Sequence, residues 1–150
     1  MAADFIPPGV YPVLPGTSTL SRQLRDPAVS AAVERVLSDN VASLAVAVRA
    51  VIAGMEAGAS PTKLYQNAHE IRGLAGNAGL TATARIAGGL CRYLDTAADA
   101  PEKPVLQLHI AALASTAQDG DGLLGEAVAR ELAELVAKKV ADLKASETSR

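Results

Sequence analysis

The feature that most constrains the fold of this chain is an apolar pattern with the period of an α-helix. In residues 41–55 and 86–97, apolar side chains recur at positions i, i+3, i+4 and i+7, which is the spacing of one buried stripe along a helix. Proline interrupts helices because it lacks a backbone donor. Five of the eight prolines lie in residues 1–27, and the other three separate later segments. No segment alternates between apolar and polar residues as a strand does, so the sequence predicts an all-α fold.

Capping residues and turns divide the chain into six predicted helices. Asp26-Pro27 and Ser60-Pro61 each place a capping side chain before a proline at the first helical position, and Gly79 can end a helix. The predicted helices cover residues 27–38, 39–57, 61–79, 81–98, 104–117 and 123–146. Short connectors between amphipathic helices indicate antiparallel neighbours. The predicted architecture is an up-and-down, antiparallel four-helix bundle with an additional short N-terminal helix.

Length and charge indicate one helical domain that does not bind nucleic acid. A chain of 150 residues can bury a core as one domain. We expect an irregular N-terminal arm over residues 1–26, the bundle over residues 27–146 and a frayed tail at 147–150. The net charge of −2 is spread along the chain, which argues against a general nucleic-acid binder because such proteins need a concentrated basic surface.

The N-terminus and the single cysteine favour a cytoplasmic protein. Residues 1–16 contain neither the basic nor the apolar region of a signal peptide. One thiol, Cys91, can form neither an internal disulfide nor a multi-cysteine metal site. The longest apolar run, residues 41–55, is interrupted by Arg49 and is too short to span a membrane. We therefore expect a cytoplasmic location and no membrane partner.

One of the two histidines lies in an unusual helical stretch, NAHEIRGLAGNAGL, residues 67–80. Because a helix turns by about 100° per residue, Ile71 falls on its apolar face and His69 falls nearly opposite. Gly73 and Gly76 share the face of His69, although each interior glycine costs a helix roughly 1 kcal/mol relative to alanine. Larger residues at these two positions would cover the imidazole. The pattern predicts an exposed histidine with an open approach.

Arg72 adds a permanent positive charge one turn beyond His69. A guanidinium can form two parallel hydrogen bonds with a phosphate, and histidine is a nucleophile in covalent catalysis. Phosphoryl transfer mainly requires positioning and charge stabilisation. Together, His69, Arg72 and the cleared surface predict a phosphorylated histidine whose partner protein supplies the remaining groups.

The segment AHEIRGLAGNAGL resembles the motif of histidine-containing phosphotransfer (HPt) domains, which carry phosphoryl groups in bacterial and eukaryotic phosphorelays. That motif has a histidine, an aliphatic residue two positions later, lysine or arginine at the third position, glycine at the fourth, a small residue around the seventh and glycine at the tenth. The corresponding residues here are His69, Ile71, Arg72, Gly73, Gly76 and Gly79. The compatible helical pattern extends over residues 39–146.

The resemblance implies a phosphorelay intermediate of two-component signalling. His69 would accept a phosphoryl group from an aspartyl phosphate on a response-regulator receiver domain and pass it to another receiver. Arg72, Gly73 and Gly76 would support the phosphate. The protein would be a phosphohistidine carrier and not an independent kinase, with no metal or cofactor of its own, since the receiver would supply Mg²⁺. A hybrid sensor histidine kinase is a further candidate partner, and we expect a monomer.

The expected docking surface for a receiver combines residues around His69 with two arginines of the following helix. These candidates are Tyr65, Leu64, Ala68, Arg85 and Arg92. The arginines could dock an acidic receiver face or be ordinary solvated charges.

Two alternative functions remain open. A degenerate phosphotransferase derived from a sensor histidine kinase would use the HEIR sequence, with Glu70 assisting His69, and would form a dimer. A non-catalytic helical adaptor would make His69 incidental. His109 is expected to be structural or half-exposed, and Cys91 buried or partly buried.

Overall fold

The computed structural model describes residues 25–119 and 122–150. Within them lie five α-helices: α1 (Pro27–Ala53), α2 (Pro61–Asn77), α3 (Thr81–Ala97), α4 (Lys103–Asp119) and α5 (Leu123–Thr148). Neither described range contains a strand, so the predicted all-α class is confirmed. The predicted N-terminal arm falls almost entirely on residues 1–24, which lie outside the described residues.

The first helix is longer than predicted. The sequence predicts a short helix ending near Ser38 and a second one beginning at Asp39, whereas α1 is one continuous helix. This prediction was wrong because the junction contains neither glycine nor proline, and serine, aspartate and asparagine each cost a helix less than about 1 kcal/mol relative to alanine. Continuing the helical hydrogen bonds is therefore favoured over a break. The chain divides into two compact units, Met1–Ser38 and Asp39–Arg150, with the boundary inside α1.

The continuity of α1 corrects the predicted length of the apolar segment, while the expectation of no membrane partner stays a prediction. Among the described helices, α1 is long and apolar enough to cross a membrane, judged by length and composition alone. The sequence predicts an apolar run limited to residues 41–55, whereas the helix begins at Pro27. Core helices of soluble proteins and signal sequences share these two properties. Within the first unit, the exposed large apolar residues of α1 are Val29, Val33, Val36 and Leu37.

The second unit is organised around α3, which packs against α2, α4 and α5. Its Ile86, Leu90 and Tyr93 are at most 2% exposed, and each buried side chain of this size contributes about 1.5–3 kcal/mol through loss of water-exposed apolar area. A buried polar link joins α3 to α4, because the Thr83 hydroxyl donates to Thr116 Oγ1 at 3.0 Å. The inner face of α2 is held against α3, and this fixes the direction of its outer face.

Candidate functional site

The candidate site lies on α2, whose two ends agree with the sequence prediction. At the start, Ser60 Oγ accepts a hydrogen bond from the Lys63 amide at 3.2 Å, with Pro61 at the first helical position. At the end, Gly79 has φ = +75°, and the amide of Leu80 donates to the carbonyl of Ala75 at 2.9 Å. This is a Schellman-type ending, which needs a residue in the left-handed region. The helix therefore continues through Gly73 and Gly76.

The two faces of α2 separate as the helical phase predicts. Ile71 and Ala75 are 0% exposed and belong to the core, whereas His69, on the opposite face, is exposed. The ring of Tyr65 stacks beside that of His69, with centroids 6.2 Å apart and ring planes 7° from parallel. Aromatic pairs at this separation attract weakly. The rest of the imidazole surface faces solvent.

The two interior glycines of α2 face open space. Both Gly73 and Gly76 are exposed, and a Cβ atom added at either would meet nothing within 4 Å. A close helix crossing therefore does not explain them, since such a crossing would place neighbouring atoms against the glycine. Their effect in this structure is to leave the surface beside His69 free of side chains.

Arg72 extends from α2 towards α3. Its side chain lies along Gly88, where an added Cβ atom would be 3.6 Å from Arg72 Cδ and 3.8 Å from Nε. Arg72, Arg85 and Arg92 all line one open groove between α2 and α3, of about 890 Å³. Arg85 also forms an ion pair with Glu126 of α5, with 2.6 Å between Nη1 and Oε2. The structure thus brings together the three arginines that the sequence singled out.

Two of the expected docking residues are not on the surface. Leu64 and Ala68 are 0% exposed, so their side chains are unavailable to a partner, and their expected role is corrected. Both lie on the α3 side of α2, where they pack in the core. Tyr65 is half-buried, while Arg85 and Arg92 are exposed, so these three remain accessible.

Known proteins give no independent identification. No family model, curated protein or solved structure matches this chain. The features of the molecule that indicate a function are therefore those of α2, which carries an exposed histidine, two open glycines and an arginine directed along the neighbouring helix.

The groove itself is the feature that sequence reasoning missed. Arg85 and Arg92 are two turns apart on α3, and Gly88 and Gly89 lie between them, which is the pattern that could have indicated it. Finding the groove also requires knowing that Arg72 crosses over Gly88, and this depends on how α2 packs against α3.

No group of three or more His, Cys, Asp or Glu side chains in residues 25–119 and 122–150 could hold a metal ion.

His109, the second histidine, is a core residue. It is 0% exposed, and its Nδ1 donates to the carbonyl of Val105 at 2.8 Å, while Nε2 has no hydrogen-bond partner among the described residues. Burial lowers the pKa of His109, because the charged imidazolium is poorly solvated there; the hydrogen bond to Val105 opposes this in part. The prediction that His109 is a structural residue is confirmed, and the half-exposed alternative is wrong.

We expect His109 to make stability depend on pH. An unfolded histidine titrates near pH 6.5, and the folded His109 has a lower pKa. As the pH falls below about 6.5, the unfolded chain takes up a proton that the folded chain resists, so stability is lost by at most about 1.4 kcal/mol per pH unit. Urea unfolding between pH 7.5 and pH 5 should show this loss, and His109→Leu should reduce it. An identical pH dependence in both proteins would contradict the assignment.

The cysteine is buried as expected. Cys91 is 5% exposed, and burial raises the pKa of its thiol, while the positive charge of Arg72 lowers it to a smaller extent. A thiol with a raised pKa is a weak nucleophile at neutral pH. We therefore assign Cys91 no chemical role.

Proposed function

We propose that this protein is a phosphorelay intermediate of two-component signalling, an HPt-like carrier in which His69 receives a phosphoryl group from one receiver domain and passes it to another. The observation that carries the proposal is the exposed imidazole of His69 beside two glycines whose added Cβ atoms would meet nothing within 4 Å. A receiver keeps its phosphorylated aspartate in a recessed site. Only a nucleophile on an unobstructed surface can approach that site in line with the breaking bond.

The chemistry needs one nucleophile and a leaving group. A neutral ring nitrogen of His69 attacks the phosphorus of the aspartyl phosphate, a P–N bond forms, and the P–O bond to the aspartate breaks. The aspartate leaves as a carboxylate with the bonding electron pair, and the ring proton that becomes acidic passes to water. The reverse reaction on a second receiver restores the free histidine. Mg²⁺ and the acidic pocket belong to the receivers.

The residues near His69 have supporting roles in this proposal. Arg72 follows His69 by one helical turn, and its side chain runs towards Gly88 of α3; in this proposal its permanent positive charge attracts the phosphoryl group without contacting it in the present geometry. Gly73 and Gly76 admit the receiver surface. Tyr65 holds the imidazole orientation through the stacked pair, and Arg85 and Arg92 of α3 contact the acidic rim of the receiver.

The proposal includes a finer architecture and a location. We assign α2, α3, α4 and α5 to an antiparallel up-and-down four-helix bundle, because the connectors between consecutive helices are short and short connectors favour antiparallel neighbours. The carrier works as a cytoplasmic monomer, since a receiver must reach His69 from solution and return to its own target.

Incubation with phosphorylated receiver domains tests the function directly. A purified receiver loaded with labelled phosphate is mixed with this protein, and the label is followed by electrophoresis. We expect label on this protein that is stable in alkali and lost in acid, as a P–N bond requires. An adaptor without covalent chemistry would acquire no label, and this result across a panel of receivers would reject the proposal. Light scattering gives the second test, since an obligate dimer would favour the kinase-derived alternative.

A further inference from the structure

The groove between α2 and α3 is large enough to hold a ligand, and the proposed carrier function assigns no ligand to it. It is open, with a volume of about 890 Å³, and His69 is not among the residues that line it. Small residues make up much of its wall, including Gly76 of α2 and Gly88 and Gly89 of α3. Side chains at these positions would narrow the groove. Binding clefts for small molecules commonly have volumes of about 300–1,000 Å³.

The charges in this groove are unbalanced. Arg85 is paired with Glu126, but neither Arg72 nor Arg92 forms an ion pair with a carboxylate in the described part of the chain. Asp95 is the one acidic residue of the described lining. Cys91 also lines the groove; burial raises the pKa of its thiol, the charge of Arg72 opposes this rise, and the charge of Asp95 adds to it. Positive groups held together in one cleft repel each other unless an anion lies between them.

The side chain of Arg72 is held in position by packing. Its stem lies against Gly88, with 3.6 Å between Cδ and the position of an added Cβ. Arg85 and Arg92 stand three residues before and four residues after Gly88 on α3, and positions at these spacings share a helix face. Arg85 and Arg92 therefore lie on one face of α3, and the Arg72 side chain packs against Gly88 between them in the sequence.

We propose that this groove binds the phosphate group of a soluble phosphorylated small molecule, with Arg72 and Arg92 as the main ligands. Guanidinium groups bind phosphate through paired hydrogen bonds and keep their charge at all physiological pH values. Gly88 leaves room for the Arg72 side chain to lie along α3, which keeps this arginine in the wall of the groove. Tyr65 lines the same groove and offers an aromatic surface for the rest of the ligand. This site goes beyond the proposed carrier function, because it requires no phosphoryl transfer to His69.

Titration of the full-length protein with inorganic pyrophosphate tests the site. Calorimetry measures the affinity, and the amide signals of Gly76, Gly88 and Gly89 in NMR spectra report the location. We expect saturable binding with shifts at these three glycines. Arg72→Gln and Arg92→Gln should each weaken binding by about tenfold or more, because each removes a charged hydrogen-bonding partner. Arg130→Gln is the matched control, since Arg130 is an exposed arginine of α5 outside the groove; it should change the affinity by less than about twofold.

The results that would overturn the proposal are distinct. Absence of saturable binding, or an equal loss in Arg130→Gln, would mean that only net charge attracts the anion. Sedimentation with phosphatidylglycerol vesicles, together with no response to pyrophosphate, would assign the arginines to a lipid surface and reject a soluble ligand. Pyrophosphate binding by His69→Gln keeps this test separate from the carrier function, because that variant lacks the phosphorylated residue and retains every arginine.

Discussion

His69→Gln is expected to abolish phosphoryl transfer while leaving the fold intact. The glutamine amide has no nucleophilic nitrogen lone pair, so no P–N bond can form. His69 is exposed on the outer face of α2, and substitutions at exposed positions usually change stability by no more than about 0.5 kcal/mol. The variant should therefore show the same helical circular dichroism and nearly the same urea midpoint as the wild type, with no acid-labile label after incubation with a phosphorylated receiver.

Glu70→Gln is the matched control for this experiment. Glu70 is the next residue of α2 and is also exposed, so the change removes a neighbouring charge and keeps the imidazole. Under the carrier proposal it should be labelled like the wild type, because the receiver supplies the acidic groups. Undiminished labelling of His69→Gln would reject the site. Loss of labelling in Glu70→Gln alone would favour the kinase-derived mechanism, in which this glutamate assists the histidine.

Filling the surface beside His69 is expected to stabilise the protein and to slow transfer. In Gly73→Gln and Gly76→Gln, the new side chain meets no existing atom near its Cβ within 4 Å, and glutamine favours a helix over glycine by about 0.5 kcal/mol. We expect each variant to unfold at higher urea concentration. The same side chain obstructs the receiver, and displacements of about 1 Å in a reacting pair can reduce rates by about a hundredfold.

The transfer rate from a phosphorylated receiver should fall by at least about tenfold in each glycine variant, on the same principle of misplaced reacting atoms. Ala137→Gln provides the control. Ala137 is an exposed residue of α5, so the change adds the same side chain on a helix other than the one that carries His69. This control should transfer at the wild-type rate. Stabilised glycine variants that also transfer at the wild-type rate would show that Gly73 and Gly76 do not serve a partner's approach.

Local signals in the sequence were sufficient to predict α2. Ser60 and Pro61 determined its start, Gly79 its end, and the 3.6-residue period placed His69 opposite Ile71. These are interactions within one helix, and their geometry depends little on the rest of the chain. For the same reason the all-α class followed from apolar spacing alone.

Features that depend on packing between helices could not be predicted in the same way. The period of α2 already places Leu64 on the core face with Ile71, so its assignment to the docking surface disagreed with the helical phase. Ala68 lies about 100° from His69, and there the width of the face covered by α3 decides burial. The full burial of His109 likewise depends on neighbouring helices. The break expected at Ser38 failed for another reason, because modest helix propensities over a few residues do not outweigh the hydrogen bonds gained by a continuous α1.

The location of His69 on the outer face of α2 also bears on the direction of phosphoryl flow. In the proposed function, the phosphoryl group is added in water and opposite the core, so its two negative charges require no rearrangement of buried residues. Loaded and empty carriers would then differ in chemistry but hardly in shape. Such a carrier has no preferred direction of its own, and the net flow follows the relative phosphorylation levels and free energies of hydrolysis of the two receivers. The protein would act as a reversible store of phosphate between them.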